Sequence, residues 1–131
     1  GHNVFSNTPG GAFDLGLYPR GESRGAPFRR PGVYEIFCNI HSRMSAFVVA
    51  VPTALWAHPG ADGRFSIANV PAGRYRLRAW HERGGEQSQV VTVDADGVRG
   101  VRLALDARAY RPKGHANKFG QPYPRATRDD Y

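Results

Sequence analysis

Apolar and polar residues alternate in short runs along most of the chain. In the first half, residues 13–18 alternate, and this predicts a half-buried β-strand because successive side chains of a strand point to opposite faces. Residues 33–38 and 47–51 are short, mostly apolar runs that also predict strands. In the first run, the apolar residues at 13, 15 and 17 are expected on one face. Residues 2–6 are typical of a strand end or the loop after it.

The pattern changes after Pro52-Thr53, where turn residues become more frequent. Alternation then predicts strands at 64–67, 75–80, 89–93 and 98–105, with Gly84-Gly85 closing a hairpin. The second block is therefore expected to be a small antiparallel β-sandwich. With no stretch of helical period, the whole chain is predicted to be all-β.

The last residues, 107–131, show no period, and their basic residues lie among Pro, Gly, Asn and Tyr. Two interpretations stay open. The segment is an extended tail that is partly disordered in isolation, or it becomes ordered by wrapping on a partner through its aromatic residues, which are Tyr110, Phe119, Tyr123 and Tyr131. The predicted domains are thus 1–53, 54–106 and a basic aromatic tail, 107–131.

The positive net charge limits the kinds of partner that the chain is expected to bind. The formal charge is +7, and only two of the 18 basic residues are lysines, Lys113 and Lys118. The arginines are scattered rather than blocked, which disfavours nucleic acid and leaves an anionic membrane surface or an acidic partner protein, the latter with salt-sensitive binding. No run of about 18 apolar residues exists, so no segment is predicted to span a membrane. No catalytic triad, paired carboxylates or phosphate loop is evident, so we do not expect an enzyme.

Candidate chemistry is concentrated between the strands at 33–38 and 47–51. The single cysteine, Cys38, is followed by His41 and by the single methionine, Met44, and His2 offers a second imidazole. A thiolate, two imidazoles and a weak thioether suit copper in both of its oxidation states. In the competing interpretation, Cys38 and Met44 are core residues and the two histidines are incidental.

Other metal sites fit this pattern less well. Structural zinc sites generally use more Cys or His and no thioether. A dinuclear copper site would need a second cysteine, and haem attachment would need Cys-x-x-Cys-His, so both are excluded. The remaining histidines are expected to be structural or solvated; they are His58, His81 and His115.

Two stretches resemble known families. Gly32-Val-Tyr34 through Cys38, His41 and Met44, with His2-Asn3 upstream, resembles cupredoxins of the plastocyanin and amicyanin type, including methylamine-utilisation-like exported proteins. The resemblance implies a Greek-key sandwich whose copper ligands are His2, Cys38, His41 and Met44, with Asn3 hydrogen-bonding to the ligand loop. Asp62-Gly-Arg-Phe65, Val70 to Leu77 and Ala79-Trp-His81 resemble a carboxypeptidase regulatory-like sandwich, without the zinc-peptidase ligands.

The two resemblances cover residues 2 to about 105. The strands that precede the first ligand in cupredoxins are absent, so either they lie upstream of Gly1 or another subunit covers the open edge of the sheet. We also expect any export signal upstream of Gly1. A departure at Ser42-Arg43 places a cation beside the metal loop, which affects the expected docking surface.

The function implied is that of a periplasmic type 1 copper electron carrier, or a copper-bearing subunit of a redox complex. Electrons would pass through the edge of His41 to a redox partner protein, which is expected to be acidic. The alternative is a structural subunit whose cupredoxin scaffold binds a large membrane electron-transfer or photosynthetic complex. Copper storage or delivery is a third hypothesis, disfavoured by the single methionine.

Overall fold

The computed structural model describes residues 1–124, which divide into two compact units. The first unit comprises Gly1–Pro52 together with the chain from Pro112, and the second is Thr53–Arg111. Each unit is described by itself. The domain boundaries expected from the sequence remain a prediction, and Tyr131 lies outside the described residues.

Residues 1–124 form two antiparallel sheets and no helix, which confirms the all-β prediction. Within this part of the chain no helix is long and apolar enough to cross a membrane. The first sheet has four strands in the order β2-β1-β3-β4, and the second pairs β5 with β6. The strands are β1 (His2–Ser6), β2 (Phe13–Tyr18), β3 (Gly32–Cys38), β4 (Ser45–Ala50), β5 (Gly73–His81) and β6 (Gly85–Val93).

The first unit is built around β1, which pairs with β2 on one side and β3 on the other. The most buried side chains of the sheet lie on β1 and β3. Phe5 of β1 is 1% exposed, and Tyr34 and Cys38 of β3 are 4% and 1% exposed. On its other side, β3 pairs with β4 in a regular hairpin that runs from Gly32↔Ala50 to Phe37↔Ser45. The buried centre of the unit therefore lies where β1 crosses the carboxyl end of β3.

A β-bulge interrupts the pairing of β1 with β2. The register shifts between Asn3, opposite Leu17, and Phe5, opposite Asp14, and Gly16 has φ +67°. A bulge adds one residue to one strand and reverses the alternation beyond it. Consequently Leu17 is 64% exposed rather than packed beside Phe13, as expected from the sequence, and that part of the prediction is wrong.

The second unit contains one long hairpin. Its nine pairs run from Gly73↔Val93 to His81↔Gly85, and Gly84 donates its N–H to the carbonyl of His81 in the turn. One face carries Arg74, Arg76 and Arg78, which are exposed, and the other carries the half-buried Tyr75, Leu77 and Ala79. The predicted strands at 75–80 and 89–93 are thus confirmed.

Two further predicted strands of the second unit are wrong, since neither 64–67 nor 98–105 joins a sheet. Arg64 is held in a turn, where its carbonyl accepts from Gly60 N–H and its own N–H donates to Asp62. In the second segment, Val101, Leu103 and Leu105 are half-buried while Arg102 and Ala104 are exposed. Alternation correctly predicted which side chains of 101–105 are covered. It does not predict whether a neighbouring strand is present to pair with this segment.

Candidate metal centre

His2, Cys38 and His41 meet at one end of the first sheet. His2 begins β1, Cys38 ends β3, and His41 lies in the loop to β4. The pairing of Val4 with Cys38 brings the start of β1 beside the end of β3. The three ligand atoms all lie within 4.8 Å of one another. Strand pairing thus brings together three donors that are far apart in sequence.

The loop from Cys38 to Met44 is closed by its own backbone. The N–H of Cys38 donates to the carbonyl of Met44 at 3.3 Å, and the N–H of Met44 donates to the carbonyl of His41 at 3.0 Å. Cys38 is therefore fixed at the base of a tight loop. The side chain of Met44, the fourth ligand expected from the sequence, is 42% exposed, as expected for a residue at the surface of the site.

The donor atoms are close, and one of them has no protein partner. Cys38 Sγ lies 3.4 Å from Nδ1 of His41, and the rings of His2 and His41 are 5.1 Å apart between centroids. Nδ1 of His2 is buried and has no hydrogen-bond partner among the described residues. A buried polar atom without a partner is unfavourable unless another group satisfies it.

Asn3, expected to hold the ligand loop, is buried and makes two bonds. Its side-chain amide donates to Asp14 at 2.5 Å, while its backbone carbonyl accepts from the N–H of Asn39 at 2.9 Å. The connection from Asn3 to the ligand loop therefore runs through its main chain. Its side chain instead anchors the bulge of β2.

Sequence reasoning missed three residues that contact this region from the last segment of the chain. Tyr123 donates its hydroxyl to the carbonyl of Cys38 at 2.6 Å, and the N–H of Lys118 donates to the side-chain oxygen of Asn39 at 2.9 Å. His115 stacks on Phe37 with centroids 4.2 Å apart. The residues joined by these hydrogen bonds are 85 positions apart for Tyr123 and Cys38 and 79 apart for Lys118 and Asn39, so no local sequence pattern could indicate the contacts. The aromatic content of the basic tail was the only signal.

Two ionisable groups of this segment and its contacts have shifted pKa values. The ammonium of Lys118, then the N–H of Gly16 and the amide of Asn3, lower the pKa of Asp14 to about 2. Burial raises the pKa of Tyr123, and the nearby Cys38 adds to the effect. Tyr123 is consequently held as the neutral phenol that can donate to the Cys38 carbonyl.

The other two histidines lie in the second unit, away from the donor cluster in sequence. His58 packs edge-on against Trp56, with centroids 5.2 Å apart. Nδ1 of His81 accepts the N–H of Arg83 at 3.0 Å. These contacts give both side chains structural roles within the second unit.

One comparison with known families gives a match. Residues 55–99 match the model of polysaccharide lyase family 4, domain II, a fibronectin-III-like domain. No curated protein and no solved structure matches the chain. The match covers about a third of the chain, and it describes the second unit alone.

This match overturns the resemblances drawn from the sequence. The family found is neither a cupredoxin nor a carboxypeptidase regulatory-like domain, so both identifications are wrong. The functions that rested on them, copper electron transfer and a cupredoxin scaffold within a redox complex, are wrong with them. The geometry of His2, Cys38 and His41 has to be interpreted without that family.

Proposed function

We propose that the first unit is a binding module for one copper ion, held by His2, Cys38 and His41. The observation that carries the proposal is the buried, unpartnered Nδ1 of His2 beside a thiol and a second imidazole. Two imidazoles and a thiolate are a donor set for copper or zinc. When bound, the ion would satisfy the nitrogen of His2 and join β1 to the loop after β3.

The spacing of the donors supports metal binding. Metal–sulfur and metal–nitrogen bonds of about 2.3 Å and 2.0 Å, at tetrahedral to trigonal angles, place the two donor atoms roughly 3.5–3.8 Å apart. The observed separation of Cys38 Sγ and His41 Nδ1 is 3.4 Å. A thiol–imidazole hydrogen bond would also give this distance, but it would leave Nδ1 of His2 without a partner. A shared ion accounts for all three side chains.

Copper is proposed over zinc because of Met44. A thioether is a usual neighbour of copper and an uncommon one of structural zinc. Met44 closes the same loop that carries Cys38 and His41, with its backbone bonded to both residues. Met44 is therefore part of the closed loop that carries two of the proposed donors.

The proposal is for a binding protein, not an enzyme. The pair of Cys38 and His41 is of the type that forms a thiolate nucleophile, but a nucleophile must meet its substrate. Cys38 is 1% exposed. A metal ion can reach such a group through a small opening, whereas a substrate carbonyl cannot.

The test is metal binding by the full chain and by matched variants. Purified protein is loaded with Cu(I) under anaerobic conditions, desalted and analysed for copper and zinc, with Co(II) as a spectroscopic probe of thiolate ligation. We expect one ion per chain, thiolate-to-Co(II) absorption in the near ultraviolet, and loss of both in Cys38→Ser and His2→Gln. His58→Gln, in the second unit, is the control.

Unchanged binding in Cys38→Ser and His2→Gln would show that the ion is held elsewhere, against the proposal. Zinc displacing copper in direct competition would contradict the choice of metal.

For the first unit we also propose the finer architecture of a Greek-key sandwich. What supports it is that β1 pairs with β3 as well as with its hairpin partner β2, across the long connection 19–31.

A second proposal concerns the exposed face of β5 and β6: it binds an acidic polysaccharide. The matched family is a domain of polysaccharide lyases, and Arg74, Arg76 and Arg78 lie on one face of β5. Alternate residues on a strand are roughly 6.6–6.8 Å apart, so the three guanidinium groups form a row. Arg76 contacts Ser88 at 3.4 Å and Arg78 pairs with Glu86, which orients both side chains along the hairpin.

A row of arginines suits a polymer with regularly spaced carboxylates, because guanidinium binds carboxylate through two parallel hydrogen bonds. The acidic partner expected from the charge is thus proposed to be a polysaccharide rather than a protein. Such a ligand lies outside the cytoplasm, in keeping with an exported location.

Affinity electrophoresis through gels containing polygalacturonate tests this second proposal. We expect retardation of the wild-type chain that weakens with salt, and its loss when Arg74, Arg76 and Arg78 are all changed to Gln. The same change of charge at Arg64, Arg99 and Arg102 is the control. Equal retardation of both triple variants, or stronger binding to an acidic protein or to DNA than to the polysaccharide, would overturn it.

A further inference from the structure

The segment from His115 to Tyr123 packs directly against the base of the proposed metal site. Tyr123 donates to the carbonyl of Cys38, the residue that supplies the thiolate, at 2.6 Å. Lys118 donates its backbone N–H to Asn39, the next residue of the loop, at 2.9 Å. His115 lies between these contacts, stacked on Phe37 and edge-on to Tyr123 with centroids 5.2 Å apart. Three consecutive residues, 37–39, are thus contacted by one distant segment.

The same segment is tied to the strand that carries His2. The ammonium of Lys118 donates to Asp14 at 2.7 Å, and the other carboxylate oxygen of Asp14 accepts from the amide of Asn3 at 2.5 Å. Asn3 follows His2, and its carbonyl in turn accepts from the N–H of Asn39. Lys118 therefore contacts both the ligand loop and, through Asp14, the start of β1.

We infer that Tyr123 and Lys118 are positioning residues of the metal site, and that metal binding and docking of this segment stabilise each other. This inference rests on the proposed function. Tyr123 fixes the carbonyl of Cys38, and this orients the side chain of Cys38 and its thiolate. Lys118 holds the Cys38 loop and β1 at one separation, which sets the distance from His2 to the other two donors.

The coupling has a thermodynamic consequence that a purely structural contact lacks. If docking of the segment increases metal affinity by some factor, metal binding must increase the stability of docking by the same factor. Groups that orient metal ligands typically change metal affinity about 10- to 100-fold when they are removed. We expect an effect of that size from Tyr123→Phe, which deletes one hydroxyl and keeps the ring against His115.

The first experiment compares Cu(I) affinity, by competition with a chromophoric chelator, for the full-length wild type, Tyr123→Phe and Lys118→Met. Tyr110→Phe, which removes a tyrosine hydroxyl in the second unit, is the control. We expect one ion per chain in every protein, with affinity about 10- to 100-fold lower in the first two variants and unchanged in Tyr110→Phe. Changed Co(II) absorption in Tyr123→Phe would report altered thiolate geometry.

The second experiment measures the reciprocal effect. Trypsin cleavage after Lys113 and Lys118 is timed in the wild-type chain with and without Cu(I), and in Cys38→Ser as a metal-free control. We expect the metal to slow cleavage in the wild type by the factor that Lys118 and Tyr123 contribute to affinity, and to have no effect in Cys38→Ser.

The outcomes separate this inference from the proposed function. A wild-type chain that binds no ion at His2, Cys38 and His41 overturns both. A wild type that binds, together with Tyr123→Phe and Lys118→Met of unchanged affinity, overturns only the positioning role. Apo variants with lower melting temperature but wild-type affinity and Co(II) spectrum would show that these contacts are merely structural, which also overturns it.

Discussion

Gly11 lies against the ring of Tyr34, the most buried tyrosine of the first sheet. A Cβ at position 11 would overlap Cε1 and Cδ1 of that ring. The ring cannot move away easily, because Phe28 packs edge-on at 4.9 Å and the hydroxyl donates to the carbonyl of Arg30 at 2.6 Å. The glycine is therefore required by its neighbour and not only by the turn in which it lies.

We predict that Gly11→Ala destabilises the first unit by about 1–3 kcal/mol, the usual effect of overpacking a filled site. Gly25→Ala is the matched control, since a Cβ there meets nothing within 4 Å. Urea unfolding followed by near-ultraviolet circular dichroism measures the difference. Equal midpoints for the two variants would contradict the packing argument.

The sequence indicated some of these residues and not others. Cys38, His41 and Met44 share one loop, so chemistry and spacing were enough to bring them forward as candidates, and His2 followed from the need for a second imidazole. Tyr123 and Lys118 escaped because their contacts are set by how the chain returns to the first unit. Hydrogen bonds across such distances leave no period or motif in a single sequence.

At the scale of secondary structure, the bulge in β2 connects the sheet to the last segment of the chain. Gly16 adopts φ +67° and donates its N–H to Asp14 at 2.9 Å, and the same carboxylate accepts from Lys118. In a regular strand without the bulge, the N–H of Gly16 would not be turned towards the carboxylate of Asp14. A local irregularity of the strand thus creates the acceptor to which Lys118 binds.

We predict that acid weakens the docking of Lys118 on the apo protein. The folded state lowers the pKa of Asp14 from 3.8 to about 2. The stabilisation is therefore complete above about pH 4 and is lost as the pH falls towards 2. Because the Asp14 side chain is 41% exposed, solvent screening reduces the effect to about 1 kcal/mol.

The measurement is the free energy of unfolding of the apo first unit between pH 2 and 5, in wild type and in Asp14→Asn. Arg78 lowers the pKa of Glu86 and Arg108 lowers the pKa of Asp106 in the second unit, so acid also acts on other groups, and the difference between the two proteins isolates Asp14. We expect that difference to shrink as the pH falls. A constant difference would contradict the assignment.

Strand prediction worked where alternation and ladder pairing coincide. The hairpins of β3–β4 and β5–β6 lie where strands were predicted, because each strand has an adjacent partner in sequence. Phe13–Tyr18 is also a strand as predicted, but its bulge breaks the predicted alternation at Leu17. Strand prediction failed at 64–67, where Asp62 captures the backbone N–H of Arg64 in a turn. Bulges and turns depend on single hydrogen bonds, and these cannot be predicted from hydrophobic periodicity.

At the scale of the whole molecule, the proposed metal site belongs to one unit and both tryptophans belong to the other. Trp56 and Trp80 lie in Thr53–Arg111, whereas His2, Cys38 and His41 lie in the first unit. Tryptophan fluorescence therefore reports the second unit, and metal-dependent changes report the first. This division makes the response of each unit separately measurable.

We predict that Cu(I) stabilises the first unit without stabilising the second. An ion present at 100 times its dissociation constant adds about 2.7 kcal/mol to the unit that binds it. Circular dichroism reports both units, so part of its thermal transition should shift upward with Cu(I), while the tryptophan fluorescence transition should not shift. Cys38→Ser should abolish the shift, and an equal shift of both transitions would show that the two units unfold together.

The first unit is assembled from the two ends of the described chain, with the second unit inserted between Pro52 and Pro112. During synthesis, His2, Cys38 and His41 leave the ribosome before Lys118 and Tyr123 have been made. At about 5–20 residues per second, the 82 residues from Ser42 to Tyr123 take roughly 4–16 s to translate. For that interval the nascent chain carries an exposed thiol and two imidazoles without the segment that covers their base.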